Sequence, residues 1–407
     1  MKVLYITGSC LTKNTSANMS HNGYVQGLLE NGAEVTILMA NDSWGKTDNK
    51  LHKWENAKYI EFNSVSFIDK IKSRYIKMTQ NNVSDSQAAS SPQLSKTKRS
   101  LKNHIHNFLK KAFYTLYKPD PIYPLEKTWL KHASKYQSKT RYDLVISNSS
   151  PAASHKLAAL LIEQKKINYK RWIQIWEDPW FHDLYGNYPL YIQNEEHQLL
   201  KKAEEIYYVS PLTLHYQKIY FADCAYKMKF IPLPYFKYEK GICINQQSIS
   251  FGYFGDYYSQ TRNLRPFYEA LNESGYKGYI YGDNNLQLSS TKHITVSNRV
   301  TLEKLEQIQS KTSVLVHLCN LKGGQIPGKI YHYSATEKPI LFILDGTEEE
   351  QKIIQSFFSQ YHRYYFCKNN KESILKAIID IHQHYNQYKG VVINAFSPKN
   401  IIQNILQ

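Results

Sequence analysis

No stretch of this 407-residue chain approaches the roughly 20 apolar residues that a membrane-spanning helix needs; about the longest run is 157–162. Cysteine is sparse. Cys10, Cys224, Cys243, Cys319 and Cys367 are scattered, odd in number and without metal-like spacing. That argues against a disulfide framework or a zinc site and fits a reducing cytoplasm. No G-x-G-x-x-G follows the first apolar run, so a nicotinamide or flavin dinucleotide gets no support. Zinc-finger, helix-turn-helix and RNA-recognition signatures are missing too, which counts against nucleic acid as a partner. Nor is there a D-x-D, in agreement with chemistry that needs no metal.

Acidic residues are also few: 34 Asp and Glu stand against 51 Lys and Arg, a formal charge of +17. Such a balance attracts something anionic. Much of the excess is local, because residues 69–118 hold eleven Lys and Arg against Asp69 and Asp85. Within that stretch, 79–95 is rich in Asn, Ser, Gln and Ala and reads as a mobile loop. Residues 98–118 place Leu101, Ile105, Phe108, Leu109, Ala112, Phe113 and Leu116 at helical spacing among basic residues. A basic amphipathic helix of this kind can lie in an anionic membrane surface. Equally, it can pack its apolar stripe on the domain and leave the lysines in water.

What is present suits an α/β protein of two domains, since the length exceeds one ordinary core. Residues 3–7 form a short apolar run ending at Gly8, too short before its glycine for a signal peptide and consistent with a buried parallel strand. A helix near 18–30 and a strand at 35–39 complete a Rossmann-like opening. Residues 141–148 and 172–176 read as further buried strands. Ser149 and Ser150 before Pro151 read as N-caps of a helix running to Ile162, with ligand binding as the alternative. Glu177-Asp178-Pro179-Trp180 ends the strand at 172–176, where open sheets place ligands; Asp178 could instead cap the following turn. A linker falls at 238–247. Residues 249–255 then open a second Rossmann-like domain, and the glycine at its end, Gly255, permits close approach of a phosphate. His317 is read as filling a sheet edge.

The most informative segment is Gly324-Gln325-Ile326-Pro327-Gly328-Lys329. Gly323 and Gly324 permit a sharp turn, Pro327 suits a first helical position, and Lys329 adds charge beside exposed N–H groups. That combination is what a diphosphate needs. The alternative is a helix start with a solvated lysine.

The segment from Pro327 through Lys329, Tyr331, His332 and Tyr333 to Lys338-Pro339-Ile340-Leu341 resembles the nucleotide-sugar signature of GT-B glycosyltransferases. The likeness is to the bacterial family 4-like enzymes of surface-polysaccharide assembly. It extends with gaps over most of the chain, including Pro119-Asp120 with Trp129 and the Ala203-to-Ser210 segment. One departure matters: two glutamates eight positions apart in the family fall here on Gly324 and His332.

The resemblance implies the GT-B fold, two Rossmann-like domains facing a central cleft. Residues 1–240 would form the acceptor side, 241–395 the nucleotide-sugar side, and 396–407 a helix crossing back. It implies Asp178 and Glu177 at the catalytic centre, with Asn18, His21 and His182 on the acceptor side. Gly255, Arg262, Arg299, Val300, Gly324, Gln325, Ile326, Pro327, Gly328, Lys329 and His332 would meet the donor. His332 could hold a ribose hydroxyl in place of glutamate. The implied activity is sugar transfer from a nucleotide-sugar donor to a lipid-linked saccharide, without metal or other cofactor and with retention of configuration. The implied place is the inner face of the plasma membrane. Another GT-B activity, such as epimerisation of a nucleotide sugar or inverting transfer, stays open, as does a non-catalytic nucleotide-binding role.

Overall fold

Two all-parallel sheets, each a run of buried apolar strands, organise the chain in a computed structural model. It describes residues 1–43, 45–48, 51, 53–65, 120–184, 186–235 and 249–407. The loop at 79–95, the basic helix at 98–118 and the linker at 238–247 lie outside the described residues. The first sheet contains β1 (Lys2–Ile6), β2 (Glu34–Ala40), β3 (Ala57–Phe62), β4 (Leu144–Asn148), β5 (Trp172–Trp176), β6 (Glu205–Tyr208) and β7 (Met228–Phe230). Its order is β7-β6-β5-β4-β1-β2-β3. The second contains β8 (Ser250–Phe254), β9 (Lys277–Tyr281), β10 (Ile294–Ser297), β11 (Val314–Leu318), β12 (Ile340–Leu344) and β13 (Tyr364–Lys368). Here the order is β10-β9-β8-β11-β12-β13. Every residue of β4, β5, β8, β11 and β12 is buried, as parallel strands covered by helices on both faces require.

Helices α1 (Ser16–Glu30), α2 (Lys127–Ala133), α3 (Ala153–Glu163), α4 (Leu190–Lys202) and α5 (Pro211–Tyr220) belong to the first sheet. Helices α6 (Arg265–Ser274), α7 (Leu302–Lys311), α8 (Lys329–Tyr333), α9 (Glu348–Ser359) and α10 (Lys371–Gln383) follow in the second. Their starts are chemically marked. Thr15, Ser210 and Thr301 each accept an N–H of the first turn, and Thr347 forms a full capping box with Glu350.

Several sequence expectations are corrected. Helix α3 begins at Ala153 after Ala152, with no side-chain cap; Ser149 Oγ instead accepts the Glu177 N–H at 3.2 Å. Arg262, which the sequence suggests at the opening of a helix over 263–271, lies in the loop before α6. Helix α8 starts at Lys329, so Pro327 lies before it, and five residues give little axial dipole. His317 is on an interior strand between β8 and β12, packed against Phe342 at 4.5 Å, and burial pushes it down to about 3.

The last helix, α11 (Pro398–Leu406), packs on α1 of the first domain. Ser397 caps it, and Arg171 donates to the carbonyl of Ile405 near its end. Helices α5 and α9 make a second junction, and Phe230 meets Phe357 at 4.6 Å. One apolar cluster consequently runs through both halves, from Tyr5 and Ile175 to Ile330, Phe342 and Ile402. The α1–α11 seam depends on a glycine: a Cβ on Gly27 would lie 2.1 Å from the Pro398 carbonyl oxygen. Gly27→Ala should therefore destabilise the protein by about 1–3 kcal/mol despite alanine's better helix propensity. Chemical denaturation checks this; an unchanged or raised midpoint would contradict such close packing.

Candidate functional site at the meeting of the two sheets

The candidate residues gather where open α/β sheets place ligands, beyond the C-terminal ends of the strands. Gly255 and Asp256 follow β8, and Asp283 follows β9. Arg299 and Val300 follow β10, and the 319–328 loop follows β11. Asp178 follows β5 on the opposing side.

On the second domain, charge collects around Gly255–Asp256. Arg262 Nη1 donates to the Asp256 carbonyl at 3.0 Å. Arg299 grips the Asp256 carboxylate with two nitrogens, Nε at 2.8 Å from Oδ1 and Nη2 on Oδ2, and its Nε lies 3.4 Å from Asp283. Burial opposes charge on Asp256, but the Arg299 guanidinium and the Asp283 N–H hold its carboxyl below the usual range. Arg299 is thus already paired.

Lys329 is different. Its ammonium has no hydrogen-bond or ion-pair partner among the described residues. Its Cε would lie only 3.7 Å from a Cβ at Gly255. Burial pushes Lys329 down to about 8; Asp256 pulls it up, while Arg299 and Arg262 lower it further. One turn on, His332 is pushed to about 4 by burial and by Lys329, so it is neutral at pH 7. Three cations face two carboxylates here, leaving an unsatisfied positive group that suits an anion.

Gln325 is not turned toward this cluster. Its Nε2 donates to Asp178 Oδ1 and, at 3.3 Å, to Asp183 Oδ1, while its Oε1 accepts the Leu184 N–H at 2.8 Å. The backbone beside it is fixed equally firmly. Thr213 Oγ1 donates to the Gly324 carbonyl at 2.8 Å, and Asn320 Nδ2 to the Gln325 carbonyl at 2.9 Å. Gly323 and Gly324 have φ of +100° and +70°, and Cβ atoms there would strike Leu184 and Tyr216 at 2.6 and 2.8 Å. The two glycines thus serve docking onto the first domain as well as turning. Ile326, Pro327 and Gly328 continue the loop, half-buried, toward α8.

Asp178 keeps contact with solvent, and the side chain that bonds it, Gln325, comes from the second domain across the cleft. Burial raises its carboxyl to about 6, the bond from Gln325 opposes this, and Asp183 adds to the rise. Glu177 points elsewhere. Its Oε1 is buried and unpartnered, and burial followed by Asp178 holds it well above the carboxylate range.

Of the acceptor-side candidates, Asn18 and His21 are buried within α1. Asn18 Nδ2 donates to the carbonyls of Cys10 and Lys13, at 3.0 and 2.9 Å. His21 Nδ1 meets the Tyr5 hydroxyl at 2.8 Å, and burial pushes the ring to about 4. His182 stacks on Tyr220 with centroids 3.7 Å apart and planes 11° apart, beside Asp178 in sequence.

Asp256, Asp183 and Thr213 went unrecognised in the sequence. Asp256 carried a usable signal, a carboxylate at a strand's C-terminal end, the same signal that singled out Asp178. Thr213 carried none, because its partner is 111 residues away.

No family model matches the chain, and no curated protein matches it by sequence. Solved structures do match its shape. HepE from Anabaena, in complex with UDP and glucose, superposes with a TM-score of 0.54 at 11% identity, covering 100% of this chain and 94% of its own. A glycosyltransferase from Rickettsia africae gives 0.54 at 12% identity, covering 100% and 96%. Sucrose-phosphate synthase from Thermosynechococcus elongatus gives 0.52 at 12%, covering 99% and 94%. The fold is GT-B. Within it, the Lys329 cluster lies at the end of the second sheet and Asp178 at the end of the first, and Gln325 of the second domain reaches Asp178.

Removing the Gln325 donor should raise Asp178 further, because the bond favours its charged form. Carboxyl NMR titration of Gln325→Leu should show the Asp178 midpoint above about 6. A midpoint that stays or falls would contradict the bridge.

Proposed function

We propose that the protein is a glycosyltransferase that moves a sugar from a nucleoside-diphosphate sugar to a saccharide acceptor. One observation carries the reading: the Lys329 ammonium, unpartnered among the described residues, beside Arg262 and close to Gly255, at the end of the second sheet. A diphosphate supplies the missing anion. Lys329 as a point charge and Arg262 as a planar donor would stabilise the leaving nucleoside diphosphate. His332, neutral and on the same short helix, is placed to hydrogen-bond a ribose hydroxyl. Arg299 and Val300 would line the base side, with Arg299 acting through its tie to Asp256.

The acceptor hydroxyl enters from the first domain. Asp178 is the group that can receive its proton or orient it, since the carboxyl is ionised above about pH 6 and lies at the cleft wall. Retention of configuration, a lipid-linked acceptor and a role in surface-polysaccharide assembly complete the proposal and rest on the sequence resemblance. Attachment to an anionic inner membrane surface rests on the basic stretch at 69–118 and the +17 charge. Among the described residues, no helix is long and apolar enough to cross a membrane.

Calorimetry with UDP, the nucleotide bound by HepE, tests the reading. Lys329→Ala and Arg262→Ala should each weaken binding by about 10- to 150-fold, the worth of a hydrogen bond to a charged group. Because Lys329 loses its proton near pH 8, wild-type affinity should fall by up to about tenfold per unit above that pH. The fall should vanish in Lys329→Ala. No binding of UDP or any other nucleoside diphosphate to the wild type would end the proposal.

A further inference from the structure

Glu196 of α4 is completely buried, and no cation pairs with it among the described residues. Both its oxygens are nevertheless in use. Oε2 accepts the Phe181 N–H at 2.8 Å; Oε1 accepts the Trp180 N–H and the Gln217 side-chain amide, each at 3.3 Å. Three donors thus converge on one side chain, and only a carboxylate supplies two acceptor oxygens and no competing donor. Glutamine would lose one acceptor and turn an N–H₂ toward a backbone N–H. Burial pushes the Glu196 carboxyl up to about 7, against the pull of Phe181, Trp180 and Gln217. The chain keeps this expensive group because an apolar residue there would leave the Trp180 and Phe181 N–H groups and the Gln217 amide unpaired.

What those bonds hold is the turn that carries Asp178. The segment after β5 passes through Asp178, Pro179, Trp180, Phe181, His182 and Asp183 before α4 begins. It is fixed by Glu196 from within the domain and by Gln325 from across the cleft. Stacking adds lateral restraint: Trp180 lies 5.4 Å from Tyr123, and His182 lies on Tyr220. Gln217 belongs to α5, the helix that also supplies Tyr216 to Glu350 of the second domain at 3.3 Å. Glu196 is thereby the point where the Asp178 turn and the interdomain helix share one acceptor.

We propose that Glu196 is a positioning residue, which sets the Asp178 carboxylate against the second domain by holding the Trp180 and Phe181 backbone N–H groups. It touches no substrate. This rests on the reading of Asp178 as the acceptor-side group of the transfer site.

Glu196→Gln and Glu196→Ala separate positioning from general stability. Amide exchange of the 177–184 segment should quicken at least tenfold in the alanine variant and by an intermediate amount in the glutamine variant. Exchange in β8, β11 and β12 should stay as in the wild type. UDP affinity should remain within about twofold, because the Lys329 cluster is untouched. With a UDP-sugar that the wild type consumes, the variants should lose turnover while the donor KM holds. Unchanged exchange at 177–184 in both variants would overturn the proposal, as would equal acceleration throughout the first domain. If UDP fails to bind even the wild type, the transfer reading falls, and amide exchange still decides whether Glu196 holds this turn.

Discussion

The amide side chain of Gln325 is the contact on which the cleft geometry turns. It leaves the second domain, donates to Asp178 and Asp183 and accepts from the Leu184 backbone of the first. A neutral donor between two carboxylates separates like charges without introducing a cation, and it is satisfied at both ends. Thr213 and the two glycines before Gln325 reinforce the same docking. The distance between the anion-seeking cluster and Asp178 is therefore set by a few directional bonds rather than by apolar packing alone. The α1–α11 seam, with Ile401, Ile402 and Ile405, and the Phe230–Phe357 contact add apolar packing between the domains.

Electrostatic asymmetry follows from that arrangement. The second-domain wall concentrates Arg262, Arg299 and Lys329, with Asp256 and Asp283 neutralising part of the charge. On the first-domain wall, Glu177 and Asp178 are both raised, by burial first and by carboxylate neighbours next. A positive wall facing a wall of reluctant carboxylates suits a reaction in which negative charge leaves on one side and a proton departs on the other. The short α8 adds little dipole, so side-chain charge supplies most of the field.

Much of this architecture was legible because parallel strands buried on both faces announce themselves as apolar runs. The strands ending at Gly255, Asp178 and the Gly323 turn all belong to that class. The C-terminal helix opens on Ser397-Pro398, a cap followed by a first-turn proline, which is a local signal the sequence does carry. Less was legible in the site, for a physical reason. Gln325 lay in a segment that reads as a phosphate loop, and nothing local says that its side chain reaches a residue 147 positions earlier. Ser149 and Ser150 preceded a helix and so resembled caps, yet Ser149 serves the end of β5. The burial of Asn18 and His21 was not legible, because bonds to the Cys10 and Lys13 carbonyls and the Tyr5 hydroxyl leave no mark in a sequence. Positions 324 and 332, where the resembled family carries glutamates, hold a glycine committed to docking and a histidine left neutral beside Lys329.

Mapping where a nucleoside diphosphate protects the backbone tests the central claim most directly. Amide exchange in saturating UDP should slow at 255–262 and 326–332, on the Lys329 wall, with little change along α1 or α10. Protection confined to other segments, or no protection at all with every nucleoside diphosphate, would contradict the account.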